Sequence, residues 1–383
     1  MLRALIITPS SIGYLFPCLR LANELSTLGV ESTFCTGMEV APIVRAAGFQ
    51  RVDYETPVNP FAIESWHVPQ TVAWQAQVLK LALVELCPDI IIASQMCVSY
   101  TLLGDLTRDK LLLVLGGIVP LWPRTSESEK SDATARQRRE RQRFADWARV
   151  AENAADLVGC NPADRMDYRA WYGDSFLLRG TPAIDPLSHD PHLRFDHLGD
   201  LLYEPPQSTT VWRDFAEACR NGIVYVQHGR HFGKSELWNY VNALFESDEK
   251  VILADMLRFD GALERAPPNI FYRSQIPLLE IQHMLSAIVC SGGATASLVA
   301  LRFRKPLIIG VVGSGGEDLA EILTDQKLAF AFDPQASVSD ALLLETNRFL
   351  EEGSDDSRAK AISTSLEKAS ASKVLRGLMG GCR

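Results

Sequence analysis

The chain has 383 residues, of which 47% are hydrophobic and 22% are charged, and its formal net charge at pH 7 is −9. This hydrophobic fraction excludes long disorder, and the length predicts about two to three domains. The apolar runs fall short of the roughly 20 residues of a membrane span, and the acidic balance argues against a sequence-independent nucleic-acid binder.

The first half alternates apolar strand-like segments with helix-like segments. The predicted strands are Leu2–Thr8, Glu31–Thr36, Asp89–Ala93 and Leu111–Val114, and the predicted helices are Phe16–Leu28 and Val40–Ala47. Residues 124–151, rich in arginine, predict a solvated charged helix. Strands that alternate with helices predict parallel sheets with crossover connections.

The pattern stops and restarts near the middle of the chain. The segment Asp185–Ser208 is rich in Pro, His and Asp and is predicted to be a linker. The later predicted strands are Gly222–Gln227, Val251–Asp255, Ala287–Cys290 and Leu307–Val312, and the final segment, Ser339–Gly380, is predicted to be helical. The sequence therefore predicts two α/β halves.

The chain carries eight scattered cysteines without a C-x-x-C pair. This usage is typical of reduced core thiols in a cytoplasmic protein rather than of a disulfide framework or a zinc site. The apolar stretch Ala4–Ile7 is too short for the core of a signal peptide, which also predicts a cytoplasmic location.

Two glycine-containing loops follow predicted strands, where open parallel sheets bind their ligands. Ser10–Pro17 follows the first strand, and its Gly13 permits either close approach of a ligand or a plain tight turn. Cys290–Ser297 holds two glycines at a helix start, where backbone N–H groups and the helix dipole favour an anion such as a diphosphate. Thr295 and Ser297 add hydroxyl donors there.

Two further loops complete the candidate set. The segment 224–234 carries Arg230 and Lys234, which either neutralise a leaving phosphate or lie on a plain surface loop. Gly313–Asp318 offers two carboxylates that either accept hydrogen bonds from sugar hydroxyls or include a helix N-cap at Asp318. The sequence lacks the dinucleotide, Walker, nucleophile-elbow and H-E-x-x-H motifs, and no metal site is expected.

Together these loops resemble those of the GT-B glycosyltransferases that glycosylate natural products and lipids. The resemblance covers most of the chain and is most specific at Ser291–Pro306, which is similar to the family's His-Gly-Gly loop, helix and Gly-x-Pro strand. Gly13–Pro17 lies at the family's Gly-His-x-x-Pro loop, Pro88–Ser94 at its Pro-Asp-strand-Asp segment, and Ile276 at a Val/Ile-Pro pair that meets the nucleotide base.

The sequence departs from this family at the catalytic positions. Tyr14 and Ser94 stand where the family has a general-base His and the Asp that orients it. Because a tyrosine has an ordinary pKa of about 10, Tyr14 is a poor base near neutrality. Another carboxylate or a histidine such as His67 could substitute for this base. An acceptor that is already acidic or strongly nucleophilic would reduce the need for a base.

The resemblance implies an α/β protein of GT-B type, with two Rossmann-like domains that face each other across a cleft. The expected parts are an acceptor domain (1–205), a linker (206–218), a donor domain (219–365) and a C-terminal helix (366–383) that returns to the first domain. The expected donor-binding residues are Gly229, Ile276, Ser291, Gly292, Gly293, Ala294, Thr295, Ser297, Glu317 and Asp318. Tyr14 and Arg230 are the catalytic candidates.

The expected acceptor-binding residues are Gly13, Trp66, His67 and Ser94. Aromatic residues in this part of the chain, Phe61, Trp66, Trp74 and Trp122, suit an apolar or planar acceptor, or belong to the core.

The implied activity is metal-independent, inverting transfer of a hexose-type sugar from UDP or TDP to a small natural product, as in antibiotic biosynthesis. The nucleotide-sugar is a co-substrate and no cofactor is expected. The expected partners are the donor and the acceptor, with no nucleic acid, no stable membrane insertion and a possible homodimer. The alternatives are a catalytically silent homologue that binds a nucleotide or a partner, and a GT-B-fold sugar-nucleotide epimerase.

Overall fold

The computed structural model describes residues 1–63, 66–123, 134–161, 163, 167–185, 192–205, 222–227, 237–245, 251–255, 270–273, 276–311, 314–353 and 356–380. The chain forms two compact units. The N-terminal unit comprises Met1–Pro182, Pro186–Pro205 and Ala369–Arg383, and the C-terminal unit comprises Ala183–Asp185 and Pro206–Lys368.

The N-terminal unit is built on a parallel sheet of seven strands in the order β3-β2-β1-β4-β5-β6-β7. The strands are β1 (Leu2–Ile7), β2 (Val30–Cys35), β3 (Gln50–Arg51), β4 (Ile90–Ser94), β5 (Leu111–Leu115), β6 (Ser175–Leu178) and β7 (Phe195–His197). Every residue of β4 and β5 is buried, which explains their continuous apolar runs. β7 lies inside the segment predicted as a linker, and that part of the prediction is wrong because a three-residue strand has too few residues to show a period.

Helices cover both faces of this sheet. They are α1 (Ile12–Thr27), α2 (Ala41–Ala46), α3 (Pro69–Leu86), α4 (Ala135–Val158) and α5 (Tyr168–Tyr172), with short 3₁₀ turns at Met38–Val40, Val98–Leu102 and Gly104–Thr107. The arginine-rich segment forms α4, which starts at a capping box made by Thr134 and Gln137, while residues 124–133 lie outside the described residues.

The core of the N-terminal unit lies on both faces of its sheet, because successive side chains of a strand point to opposite faces. From β1, Leu5 and Ile7 pack towards α3 and α4, whereas Ala4 and Ile6 pack towards α1. The last helix, named α12 (Ala371–Met379), adds Leu375 and Leu378 to the α1 face. This helix therefore belongs to the N-terminal unit although it ends the described chain.

The C-terminal unit is built on a second parallel sheet, of six strands in the order β10-β9-β8-β11-β12-β13. The strands are β8 (Ile223–Gln227), β9 (Val251–Asp255), β10 (Ile270–Arg273), β11 (Leu285–Cys290), β12 (Leu307–Gly310) and β13 (Phe330–Phe332). The helices are α6 (Leu237–Phe245), α7 (Leu278–Ile281), α8 (Ala294–Phe303), α9 (Ser314–Asp325), α10 (Asp340–Glu352) and α11 (Asp356–Lys368). Over the described ranges, no helix is both long and apolar enough to cross a membrane.

The strand order of each sheet reverses direction at one point. In the N-terminal unit the reversal lies between β1 and β4, and in the C-terminal unit it lies between β8 and β11. In open parallel sheets, ligands bind beyond the carboxyl ends of the strands at such a switch point. The fold therefore singles out the loops that follow these four strands.

Candidate functional site

The switch point of the C-terminal unit lies beside the Gly-Gly loop. β8 ends at Gln227 and β11 at Cys290, and the two strands pair in parallel. The side-chain amide of Gln227 occupies the space into which a Cβ on Gly293 would project. A larger residue at the start of α8 would therefore make the Gln227 side chain move.

Gly292 brings the Gly-Gly loop into backbone contact with the start of α9. Its φ is +79°, and a Cβ on it would lie 2.9 Å from Gly316 Cα and 3.3 Å from Gly316 O. In the opposite direction, a Cβ on Gly316 would lie 2.7 Å from Ser291 O. The N-termini of α8 and α9 therefore meet through glycines, and the two positive dipole ends lie side by side.

α8 starts without a side-chain cap, because its N-cap residue is Gly293. The Ser297 N–H donates to Gly293 O at 3.1 Å. In α-helices generally, the first amides have no acceptor within the helix itself. Ala294 and Thr295 are half-buried in the first turn of α8. Helix N-termini are places where proteins generally bind anions such as phosphate, so the predicted donor site at this position stays a prediction.

Ser297 contacts the core below the loop. Its side chain is fully buried, and its Oγ lies 3.8 Å from Cys290 Sγ. Burial raises the pKa of the Cys290 thiol, and hydrogen bonds from the Gly292 and Gly293 amides and from Ser297 oppose that increase. The Ser297 hydroxyl therefore holds the loop onto β11 in this structure, and its predicted contact with the donor stays a prediction.

The two predicted sugar-contacting carboxylates lie in α9. Ser314–Asp325 forms this helix, so Glu317 and Asp318 belong to its first turns rather than to a loop. The alternative interpretation of Asp318 as an N-cap is wrong, because Asp318 lies four residues inside the helix. Glu317 is half-buried and Asp318 is only 1% exposed.

The other donor candidates are only partly described. Ile276 is buried next to the start of α7, beyond the carboxyl end of β10. Gly229 and Arg230 lie outside the described residues. The structure therefore brings Ser291–Thr295 together with the α9 start.

The first-loop residues and Ser94 lie at the switch point of the N-terminal unit. Ile7 of β1 pairs with Ala93 of β4, so the loops that follow the two strands start at the same sheet edge. Gly13 is exposed, and a Cβ on it would meet no atom within 4 Å. Tyr14 is half-buried against the core, and Ser94 is buried and accepts a hydrogen bond from the Met96 N–H at 3.3 Å.

The aromatic candidates divide between core and surface. Phe61 and Trp122 are fully buried, so the core alternative applies to both. Trp66 is half-buried with its ring centre 3.9 Å from that of Trp147, and His67 is exposed at its edge. The predicted contact of Trp66 and His67 with an acceptor stays a prediction.

A polar cluster at the carboxyl ends of β1 and β2 is absent from the sequence prediction. Glu39 Oε1 accepts hydrogen bonds from Ser10 Oγ and from Asn59 Nδ2, both at 2.5 Å. The available signal was the position of Glu39 a few residues after a strand of a parallel sheet. Its partners, 29 and 20 residues away in sequence, could not be found from local pattern.

A second feature absent from the prediction is Arg179, which follows β6 and is 3% exposed. Burial lowers the pKa of its guanidinium to about 10, and the nearby Asp200 carboxylate opposes that change. Arg179 Nη2 also donates to Asp200 O at 3.1 Å, which ties β6 to the segment after β7. These contacts give Arg179 a structural role within the N-terminal unit.

The chain shares its fold with solved glycosyltransferases over its full length. No protein-family model matches the sequence, and no curated protein matches it. SnogD from Streptomyces nogalater aligns with a TM-score of 0.68 at 18% identity, covering 100% of this chain and 99% of its own. VinC, solved in complex with DTDP, aligns with a TM-score of 0.69 at 17% identity and the same coverage. The glycotransferase of kitacinnamycin aligns with a TM-score of 0.72 at 16% identity, covering 99% of this chain and 98% of its own. The chain therefore has the GT-B fold of these proteins.

Proposed function

We propose that the protein is a glycosyltransferase that transfers a sugar from a nucleoside diphosphate sugar to a small natural-product acceptor. The observation that carries this proposal is the contact of Gly292 with Gly316, which joins two helix N-termini at the switch point of the C-terminal unit. That site suits a diphosphate, and one protein of the same fold, VinC, was solved with DTDP.

In the proposed reaction an acceptor oxygen attacks the anomeric carbon with inversion. The bond between that carbon and the diphosphate oxygen breaks, and negative charge develops on the leaving diphosphate. Backbone donors at the α8 start, with Thr295 beside them, stabilise this charge, and one preorganised donor contributes roughly 3–4 kcal/mol. Because the chain has a net charge of −9, the anionic donor must be held by such local groups against the overall field.

The remaining features of the proposal follow the family resemblance. The acceptor binds at the carboxyl edge of the N-terminal sheet, near Gly13, Trp66, His67 and Ser94. The sugar is of the hexose type, the nucleotide is UDP or TDP, and the reaction runs in the cytoplasm without a metal ion.

A thermal-shift titration tests donor binding. TDP or UDP at about 100 times its Kd is expected to stabilise the folded protein by about 2.7 kcal/mol, whereas ADP is not. EDTA is expected to leave the shift unchanged. If neither TDP nor UDP raises the melting temperature at millimolar concentration, the proposal is wrong.

A matched pair of variants locates the binding site. Thr295→Ala removes a hydroxyl from the first turn of α8 and is expected to weaken nucleotide binding several-fold. Thr324→Ala is the control, because Thr324 is exposed near the far end of α9. Equal affinity in the two variants would contradict the assignment of Thr295.

A second candidate function is nucleotide binding without sugar transfer. It is favoured by the surroundings of Ser94, which is buried and accepts a hydrogen bond from a turn amide instead of orienting a base. Release of nucleoside diphosphate from the donor sugar in the presence of acceptors separates the two candidates, because only a transferase produces it.

A further inference from the structure

Glu39 lies at the carboxyl edge of the N-terminal sheet, on the opposite side of β1 from Ser94, and two side chains donate hydrogen bonds to its carboxylate. Glu39 follows β2 in the 3₁₀ turn Met38–Val40 and is exposed to solvent. Since β2 and β4 both pair with β1, this turn and the Ser94 turn flank the loop that leads into α1.

The Glu39 carboxylate is held through one oxygen. Ser10 Oγ and Asn59 Nδ2 both approach Oε1 to 2.5 Å. The Ser10 distance is in the range of a charge-assisted O–H···O⁻ bond. Over the described residues Oε2 accepts no hydrogen bond, so this oxygen can receive a proton from a ligand.

The two donors are themselves fixed by the surrounding chain. Asn59 Oδ1 accepts the Phe61 N–H at 2.9 Å, which sets which end of the amide faces Glu39. The Ser10 N–H donates to Phe61 O at 2.9 Å. Gln75 on α3 donates to Pro60 O and accepts from Ser99 Oγ at 2.9 Å, so the segment that carries Asn59 is anchored to the core.

Gly37 provides the space in which these side chains meet. A Cβ there would lie 2.5 Å from Asn59 Nδ2, 2.5 Å from Glu39 Oε2 and 2.7 Å from Ser10 Cβ. Its φ of −66° is one that any residue adopts. A side chain at this position would therefore disturb the packing of the three polar side chains, whereas the backbone conformation suits any residue.

A structural ion pair does not explain this arrangement. Arg51 on β3 is the cation of this region, and it pairs with Asp53 at 2.9 Å and donates to Thr36 O at 3.2 Å. Its guanidinium also lies 5.1 Å from the ring centre of Tyr54. Among the described residues Arg51 forms no salt bridge with Glu39, because its guanidinium is engaged by Asp53 and Thr36.

We infer that Glu39 is the general base that accepts the proton of the acceptor hydroxyl, with Ser10 and Asn59 as positioning residues. This inference rests on the proposed function. As the acceptor oxygen forms its bond to the anomeric carbon, its proton moves to Glu39 Oε2, and the electron pair of the breaking bond leaves with the nucleoside diphosphate. Glu39 thereby supplies the proton transfer that Tyr14 and Ser94 are unsuited to perform.

The test varies the acidity of the acceptor. Glu39→Gln keeps the shape of the side chain and its contact with Ser10 but removes the base. Transfer is measured at mildly alkaline pH with three acceptors. para-Nitrobenzyl alcohol and water must lose a proton during the reaction, whereas para-nitrophenol, of similar size to the alcohol, is largely ionised at that pH. The expected loss is about 10²–10⁴-fold with the alcohol and with water, and only a small loss with the phenol.

Two controls separate a catalytic role from a structural one. Glu31→Gln changes another exposed glutamate at the opposite end of β2 and is expected to keep wild-type rates with all acceptors. Asn59→Ala is expected to follow Glu39→Gln with a smaller loss and the same dependence on acceptor acidity. A loss in Glu39→Gln that is equal for the alcohol and the phenol would assign a structural role and overturn the inference.

The result also distinguishes this inference from the proposed function. If the wild-type protein binds TDP or UDP and transfers sugar while Glu39→Gln matches it on the alcohol, only the role of Glu39 is refuted. If the wild-type protein neither binds a nucleotide nor releases one from a donor sugar, the proposed function fails and the inference fails with it.

Discussion

Replacement of Gly292 by alanine tests whether the contact between the two helix starts builds the nucleotide site. Gly292 has a φ of +79°, and the new Cβ would lie 2.9 Å from Gly316 Cα, closer than real side chains approach. Because Gly316 offers only backbone atoms at this point, the neighbour cannot move by rotating a side chain. The loop or the start of α9 must therefore shift.

The expected free-energy change has two parts. A non-glycine residue in the left-handed region costs about 1–2 kcal/mol, and overpacking adds about 1–3 kcal/mol. The sum is about 2–5 kcal/mol, which corresponds to a fall in melting temperature of roughly 4–20 °C at about 2–4 °C per kcal/mol for a unit of this size. Any shift of the loop also separates the two helix starts, so the stabilisation by TDP or UDP is expected to vanish.

Gly353→Ala is the matched control within the C-terminal unit. Gly353 ends α10 with a φ of +73° and a ψ of −179°, and a Cβ on it would meet no atom within 4 Å. An alanine at this φ and ψ is strained, because the region is open almost only to glycine, but it adds no steric contact. Thermal shift with and without TDP is measured for both variants. If Gly292→Ala keeps the nucleotide-dependent shift, the paired helix starts are not the binding site.

Four further outcomes are expected. Trp122→Ala, in the aromatic core, lowers the free energy of unfolding by about 3–5 kcal/mol in urea. Thr346→Val leaves the buried Tyr240 hydroxyl without its 2.6 Å partner and costs about 1–3 kcal/mol by the same assay. Burial raises the pKa of the Cys18 thiol from 9.0 to about 12. The contribution of Cys18 to the free energy of unfolding is therefore constant below pH 9 and falls between pH 9 and 12, because only the unfolded chain loses the proton there. Cys18→Ala reduces the slope of the free energy of unfolding against pH by up to about 1.4 kcal/mol per pH unit. Iodoacetamide at pH 8 modifies the exposed Cys87 before the buried Cys18, as read by peptide mass spectrometry; a faster reaction at Cys18 would contradict its burial.

The long apolar strands could be predicted from sequence because a fully buried parallel strand is a continuous apolar run. β1, β4, β5, β8 and β12 are recognisable in this way. β3 and β13 have two and three residues, so no period can indicate them, and their pairing with β2 and β12 depends on the sheet. The aromatic residues show the same limit, since only packing against Trp147 and Trp171 assigns Trp122 to the core.

The candidate sites differ in the same way, because some depend on consecutive residues and others on residues far apart in the sequence. The Gly-Gly start of α8 could be predicted because its chemistry depends on consecutive residues, namely two glycines between a strand and a helix. The contact of Gly292 with Gly316 could not, because it joins the ends of two different strands. The same holds for Glu39, whose partners Ser10 and Asn59 come from other loops.

The sequence by itself determined the two α/β halves, the parallel sheets and the glycine-rich helix start, because strand burial and helix initiation depend on neighbouring residues. The tertiary structure alone decided which loops meet at each switch point. It placed the α9 start beside the Gly-Gly loop, and it closed Glu39, Ser10 and Asn59 around Gly37. These contacts depend on the order of strands in the sheet, and strand order is set by packing over the whole unit rather than by local sequence.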